Sequence, residues 1–222
     1  MTAFRRFSFV PCLVLLTAIT AAAQGRPASP DLNHGYMTAG AGASFGDQRA
    51  ATFSLEIGER LNPRTEAYVA FTYFDNLLSD RAAADLADLS DLLTALNGIS
   101  WNLSGRDRGL GFSGGAKYVL ANGPSVRPYI GGGAGVLSVE RKVTEQRLGD
   151  ITDPLLTTFG APDGFIDVTR VSTFKPMGEF VAGVGLASGR TYVDVGYRFR
   201  KVLRAQEAFT FSQFTVGVGM RF

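Results

Sequence analysis

Apolar residues alternate with small or polar residues along most of this chain, and that period of two constrains the fold more than any other feature. A period of two places successive side chains on opposite faces of a β-strand. In the last such segment the apolar set is Phe214, Val216, Val218, Met220 and Phe222. The pattern recurs in eight segments, which span residues 36–45, 52–57, 66–73, 110–118, 130–136, 179–186, 192–199 and 213–222. The sequence therefore predicts an all-β protein with eight strands.

The two faces of these strands differ in a way that favours a membrane barrel. One face carries large apolar side chains, which suit lipid, whereas the other is mostly glycine and small residues with a few charges. Small residues and a few large charged ones suit the narrow interior of a small barrel. A sheet that crosses a membrane must also close, because lipid leaves no partner for a free strand edge. We predict an eight-stranded antiparallel transmembrane β-barrel with an up-and-down meander. A soluble lipocalin-like barrel, with the apolar face inward, is the alternative.

The charged residues of the polar face predict an ion-pair network in the barrel interior. Buried charges have to be paired, and an eight-stranded barrel is only wide enough for side chains to fill it. A two-residue turn at 188–189 would place Glu179 directly opposite Arg198, so we predict that pair. The predicted network consists of the acids Glu56, Glu66, Glu179 and Asp194 and the bases Lys117, Arg127, Arg198, Arg200 and Arg221.

The connections between the predicted strands alternate between long and short. The two long connections, 76–107 and 141–175, fall at the same end of the barrel, and tight turns lie at the other end. Outer-membrane barrels have short periplasmic turns and longer extracellular loops. We therefore expect both termini at the periplasmic end and the long loops outside the cell. A further hairpin inside 141–175 would raise the count to ten strands and is an open alternative.

The first long connection is predicted to contain a short helix. Its apolar positions recur at helical spacing at Leu86, Leu89, Leu93 and Leu96. Asp80 is expected to cap its start, and Asn97 with Gly98 to end it. Three acids share another face and could bind a cation or a basic partner, although such a run is more often a solvated surface: Asp85, Asp88 and Asp91.

The start of the chain has the composition of a secretory signal peptide. Two arginines and an apolar run over 7–19 precede the small residues Ala21–Ala23. The predicted organisation is a signal peptide over 1–23, a short periplasmic segment over 24–34 and the barrel over 35–222. Cys12 lies in the leader, so the exported chain needs no disulfide.

Composition argues against several other functions. The 22 Lys and Arg residues nearly balance the 20 Asp and Glu residues, for a net charge of +2, and no basic cluster predicts nucleic-acid binding. His34 is the only histidine and has no evident partner, which makes it a poor general base or metal ligand. We therefore expect no enzymatic activity, no metal site and no cofactor.

Three glycine-rich or aromatic strand segments are distinctive: VRPYIGGGAGV at 126–136, DVGYRFR at 194–200 and VGVGMRF at 216–222. They resemble the outer-membrane β-barrel domain family, which groups small OmpA-transmembrane-like and opacity-like barrels. The resemblance implies a Gram-negative-type outer membrane, outer-membrane lipid around the barrel and insertion by the barrel-assembly machinery. Phe222 is similar to the terminal assembly signal of that family.

The function that these observations predict is a structural or interaction role. The barrel would have a filled polar lumen and would act through its surface-exposed loops, in envelope integrity, adhesion or recognition, on an unidentified loop-binding partner. The alternative is a small channel or a carrier of lipophilic solutes across the outer membrane.

Overall fold

The computed structural model describes residues 35–46, 49–121, 126–145, 149–150, 173–188, 190–203 and 209–222. The predicted signal peptide, the segment 24–34 and His34 lie outside the described residues, as does most of the second long connection. These parts of the sequence analysis therefore stay predictions.

The described residues form eight long β-strands, one strand of two residues and one helix. The elements are β1 (Gly35–Gly46), β2 (Ala50–Asn62), β3 (Thr65–Phe74), α1 (Asp80–Asn97), β4 (Leu103–Val119), β5 (Val126–Glu145), β6 (Gly149–Asp150), β7 (Thr173–Ser188), β8 (Thr191–Val202) and β9 (Phe209–Arg221). Each long strand pairs antiparallel with two neighbours, and β1 pairs with β9 to close the ring. The prediction of an eight-stranded antiparallel barrel with one helix is confirmed.

The alternative of ten strands is wrong for the barrel wall. Strand β5 pairs directly with β7, so no further strand lies between them. Strand β6 adds only two residues to the end of β5, where Thr144 faces Asp150 and Glu145 faces Gly149.

The apolar face of the sheet points outward, as expected for a barrel in lipid. Phe53 is 51% exposed and Val218 is 58% exposed, whereas Arg200 on the other face is fully buried. A soluble barrel would show the opposite arrangement, because water would select the charged face. The outward face is therefore the lipid-facing surface.

The register between β7 and β8 differs from the one predicted. Ser188 pairs with Thr191, so the turn lies one residue later in the chain than the predicted 188–189 turn. Glu179 consequently faces Arg200 rather than Arg198, and Arg198 faces Val181. The predicted ion pair between Glu179 and Arg198 still forms, because the Arg198 side chain extends diagonally across the two strands toward Glu179.

Strands β4 and β5 are longer than predicted and continue as a two-stranded ribbon past the rest of the barrel. The last partner of β3 on β4 is Gly109, and the last partner of β7 on β5 is Val139. Pairing between β4 and β5 goes on as far as Leu103 and Glu145. Six further residues per strand at ~3.4 Å each project this ribbon by about 20 Å. Residues 103–107 and 141–145 are thus strand, not loop.

Helix α1 begins one residue after its cap and packs on the ribbon. Ser79, not Asp80, is the N-cap, and its hydroxyl accepts a hydrogen bond from the Ala82 amide at 3.2 Å. Gly98 ends the helix with φ of 65°, and its amide donates to the Thr94 carbonyl at 2.9 Å. The Ser79 hydroxyl caps the helix because it precedes the first helical residue, whereas Asp80 already lies inside the first turn.

Only part of the predicted apolar stripe of α1 is buried. Leu86 and Leu93 pack with Leu103 and Val143, which lie on the interior-facing side of the ribbon. Leu96 is 70% exposed. Among the described residues, no helix is both long and apolar enough to span a membrane.

Candidate functional site in the barrel interior

Glu56 of β2 is the centre of the interior network. Its carboxylate pairs with Lys117 of β4 and Arg198 of β8, and it accepts a hydrogen bond from the Tyr36 hydroxyl of β1 at 2.7 Å. All four side chains are buried. Inward-pointing positions of four different strands therefore meet at one carboxylate, which ties the barrel together across its interior.

Glu179 of β7 forms the second half of the same network. Its carboxylate lies 3.0 Å from Arg200 Nε and 3.4 Å from Arg198 Nη1, and it accepts a hydrogen bond from the Tyr68 hydroxyl at 2.7 Å. Arg198 contacts both Glu56 and Glu179 and so joins the two halves. The structure thus brings together five of the nine charged residues that the sequence predicted: Glu56, Lys117, Glu179, Arg198 and Arg200.

A chain of polar side chains extends the network from Arg200 to the far wall. Arg200 donates to the side-chain oxygen of Gln213 and, at 3.2 Å, to the Thr72 hydroxyl. Gln213 in turn donates to the Thr52 hydroxyl at 2.9 Å. Gln213 is fully buried. Its amide oxygen accepts a hydrogen bond from the Arg200 guanidinium, and its amide nitrogen donates one to the Thr52 hydroxyl.

The other four predicted residues are arranged differently. Glu66 pairs with Arg127 at 2.8 Å, apart from the central network. Asp194 accepts hydrogen bonds from Tyr129 and Tyr192 at 3.0 and 3.4 Å, and Arg221 lies 4.7 Å from the centre of the Tyr192 ring. Among the described residues, Asp194 and Arg221 thus contact tyrosine side chains, where the sequence analysis expected oppositely charged partners.

Tyrosines on the inward face are functional residues that the sequence analysis missed. Their hydroxyls donate hydrogen bonds to the buried carboxylates. These bonds satisfy carboxylate oxygens that the lysine and arginine side chains do not fully satisfy. Lys117 also lies 4.4 Å from the centre of the Tyr129 ring, at a distance typical of a cation–π contact. The sequence signal was present, since each tyrosine is in phase with the charged residues: Tyr36, Tyr68, Tyr129 and Tyr192.

An apolar layer lies inside the barrel on the long-loop side of the network, and the sequence analysis missed it as well. The Phe74 and Phe211 rings meet edge to face, with their centres 5.2 Å apart. The Arg200 guanidinium lies 5.6 Å from the Phe74 ring centre and 6.0 Å from that of Phe211, so the layer contacts the network directly. The buried members of the layer are Ala50, Phe74, Leu77, Leu137, Met177, Val202 and Phe211.

The long-loop end of the interior carries a further ion pair. Arg141 donates two hydrogen bonds to the Asp107 carboxylate, at 2.8 and 2.7 Å, in the bidentate geometry typical of strong pairs. Outside the barrel wall, the Arg106 guanidinium donates to the exposed Asp75 carboxylate and holds the pKa of that carboxyl below its ordinary value. The Arg141–Asp107 pair joins the two strands of the β4–β5 ribbon to each other, and the Arg106–Asp75 pair attaches the ribbon to the segment that follows β3.

The candidate cation site on α1 receives no support. Asp88 and Asp91 are exposed and Asp85 is half-buried. In the part of the chain that the structure describes, no group of three acids, histidines or cysteines could hold a metal ion.

The barrel domain of OprF and Neisserial surface protein A share this fold despite low sequence identity. The N-terminal β-barrel domain of Pseudomonas aeruginosa OprF is 13% identical, covers 86% of this chain and 98% of its own, and has a TM-score of 0.53. Neisserial surface protein A is 13% identical, covers 85% of this chain and 96% of its own, and has a TM-score of 0.51. Ail, the attachment invasion locus protein of Yersinia pestis, is 12% identical with coverages of 85% and 97% and a TM-score of 0.45.

The family assignment rests on the sequence itself. No curated protein sequence matches the chain. The family model described as the outer membrane protein beta-barrel domain matches residues 10–222, which is almost the whole chain. The chain therefore belongs to the outer-membrane β-barrel domain family, and it is an outer-membrane protein of the kind found in Gram-negative bacteria.

Proposed function

We propose that this protein is a closed outer-membrane barrel with a structural or interaction role at its long-loop end, rather than a channel or an enzyme. The observation that supports the proposal is the presence of two different layers, one above the other, in the interior, and we infer that they block it in series. The charged network around Glu56 and Glu179 lies beneath the apolar layer around Phe74 and Phe211. A permeating ion would have to break the ion pairs of the charged network and lose its hydration water in the apolar layer.

The same arrangement argues against catalysis and transport. The buried acids and bases of the central network are bound to one another, so none is positioned to transfer a proton to a substrate. A lipophilic solute would have to pass the cluster of charges, where burying it would leave ion pairs broken.

The contact surface is proposed to be the ordered structure at the long-loop end. Helix α1 and the β4–β5 ribbon form a rigid platform there, because Leu86 and Leu93 pack the helix onto the ribbon. The platform presents apolar side chains that a partner could cover, since Leu92 is 51% and Leu96 is 70% exposed. It faces the cell exterior in this proposal, and both ends of the barrel domain face the periplasm.

The opposite end would serve assembly. Phe222 follows the last strand, and its side chain is exposed. Its backbone pairs with Gly35 at the seam where the first and last strands meet, with N···O distances of 2.9 and 3.0 Å. An exposed aromatic residue at the closing seam fits the proposed signal for the barrel-assembly machinery, with lipid as the surrounding partner.

Conductance tests the closed interior. The purified full-length protein is expected to show no steady current in a planar lipid bilayer, because both layers exclude hydrated ions. A 16-stranded porin in the same bilayers, whose lumen is an aqueous channel, checks that insertion is detected. A large and stable conductance from this protein would support the channel hypothesis and contradict the proposal.

Surface labelling tests the orientation. The only cysteine, Cys12, lies in the predicted signal peptide, so an introduced cysteine is unique in the exported chain. Asp88→Cys on α1 is expected to react in intact cells with a polyethylene-glycol maleimide too large to cross porins. Arg64→Cys, exposed in the turn after β2, should react only after the outer membrane is permeabilised. The reverse pattern would show that the barrel is inverted.

A further inference from the structure

Three arginines converge at the short-turn end of the barrel interior. Arg60 Nε lies 3.9 Å and Arg127 Nη2 lies 2.8 Å from the same oxygen, Oε1 of Glu66. Arg221 of β9 lies at the same end, because its cross-strand partner Tyr36 faces Gly58, two residues before Arg60. One carboxylate thus pairs with two arginines, and a third arginine lies at the same end of the interior. Arg60 was not among the residues that the sequence predicted for the interior.

The imbalance is local to this end of the barrel. Deeper in the interior, Lys117, Arg198 and Arg200 pair with Glu56 and Glu179, and Asp194, held by the Tyr129 and Tyr192 hydroxyls, supplies a third acid. At the short-turn end, Glu66 is the one acid among the described residues that pairs with Arg60 and Arg127, and Arg221 lies beside the Tyr192 ring. Two positive charges are therefore left without a matching acid among the described residues.

The arginines of this cluster also have unused hydrogen-bond donors. Arg127 is only 4% exposed, yet its Nε and Nη2 atoms find no acceptor in hydrogen-bond geometry among the described residues, and its contact with Glu66 is an ion pair by distance alone. The Nε atom of Arg60 is also buried without a hydrogen-bond acceptor among the described residues. A buried charged donor without an acceptor is costly, and such a group points to a missing partner.

We propose that Arg60, Arg127 and Arg221 form a binding site for an oxyanion, namely a phosphate group. A phosphate at neutral pH carries the one to two negative charges that the cluster lacks, and the planar guanidinium fork matches its oxygens. The Arg60 side chain keeps 15% of its surface exposed, so a ligand can enter from the short-turn end. Both free phosphate and the headgroup of a neighbouring phospholipid supply this chemistry.

Thermal unfolding of the full-length barrel in an uncharged sugar detergent tests the site. Inorganic phosphate, added at constant ionic strength with chloride as the balancing ion, is expected to raise the unfolding midpoint in a saturable way. Arg127→Gln should weaken the apparent affinity at least about tenfold, because each charge-assisted hydrogen bond contributes that much or more. Arg60→Gln should do the same and leaves the Arg127–Glu66 pair in place, so it serves if Arg127→Gln does not fold. Arg64→Gln, on the exposed turn, is the matched control and should respond like the wild type.

A second arm identifies the source of the phosphate. If a headgroup fills the site, phosphatidylglycerol in the micelles will raise the midpoint and abolish the response to free phosphate, and an uncharged glycolipid will do neither. If only free phosphate acts, the ligand is the free ion. The proposal is overturned if chloride alone reproduces the phosphate effect, or if Arg127→Gln and Arg60→Gln both respond like the wild type.

Discussion

Replacing Glu56 with alanine is expected to lower the free energy of unfolding by about 3–5 kcal/mol. The Glu56 carboxylate is buried and is shared by Lys117 and Arg198, so its removal leaves two buried cations close together. The loss also removes the acceptor of the Tyr36 hydroxyl. Urea or heat unfolding in micelles, followed by the mobility shift between folded and unfolded barrel on a gel, measures the change.

Two further variants separate charge from packing in this experiment. Glu56→Gln keeps the volume and an acceptor for Tyr36 but removes the negative charge, so it should cost nearly as much as the alanine. Glu59→Ala, three residues later on the same strand, is the control, because Glu59 lies on the outward face. A Glu56→Ala barrel as resistant to unfolding as Glu59→Ala would contradict the central role of this carboxylate.

Substitution of Gly219 with alanine is expected to prevent closure of the barrel. Gly219 lies on β9 opposite Thr38 of β1, at the seam that joins the last strand to the first. A Cβ at this position would overlap the backbone carbonyl of Met37, which cannot move aside without breaking the pairing. The cost should exceed the ~1–3 kcal/mol typical of overpacked side chains, because two backbones are forced apart.

Gly217→Ala is the matched control for this effect. Gly217 lies two residues earlier on the same face of the same strand, and a Cβ there would meet its nearest atom, the Ala39 carbonyl oxygen, at 3.3 Å. We expect the Gly217→Ala barrel to fold with a small loss of heat resistance and the Gly219→Ala chain to give no folded band. Equal heat resistance of the two variants would show that the seam can relax, contrary to the prediction.

The network shows why a correct strand pattern can still give a wrong partner. The alternation alone placed Glu179 and Arg198 on the inward face, as observed. The pairing of Glu179 depended on a single turn, and a shift of that turn by one residue exchanged Arg198 for Arg200 as its cross-strand neighbour. Moving the turn by one residue changes the cross-strand partner of each residue by two positions, which leaves every side chain on the same face of the sheet. The hydrophobic pattern therefore could not detect the error.

The apolar layer was missed for a different reason. Phe74 and Phe211 are in phase with the charged residues, but each lies just beyond a predicted strand segment, which ended at residue 73 and began at residue 213. Both rings contact Arg200, whose charge comes from a different strand. Such a layer can be recognised only when the register between the strands is known, because the register sets the position of each residue along the barrel axis.

By itself, the sequence determined the class of fold, the number of strands, the lipid-facing surface and the end at which the helix lies. These follow from local periodicity, since one residue in two must face lipid and the other the interior. Only the tertiary structure decided which charged residues pair, which tyrosines donate hydrogen bonds to the buried carboxylates, and that Arg60 and Arg127 share Glu66. Closure of the ring brings side chains from distant strands to the same level along the barrel axis. No local pattern in the sequence encodes that level.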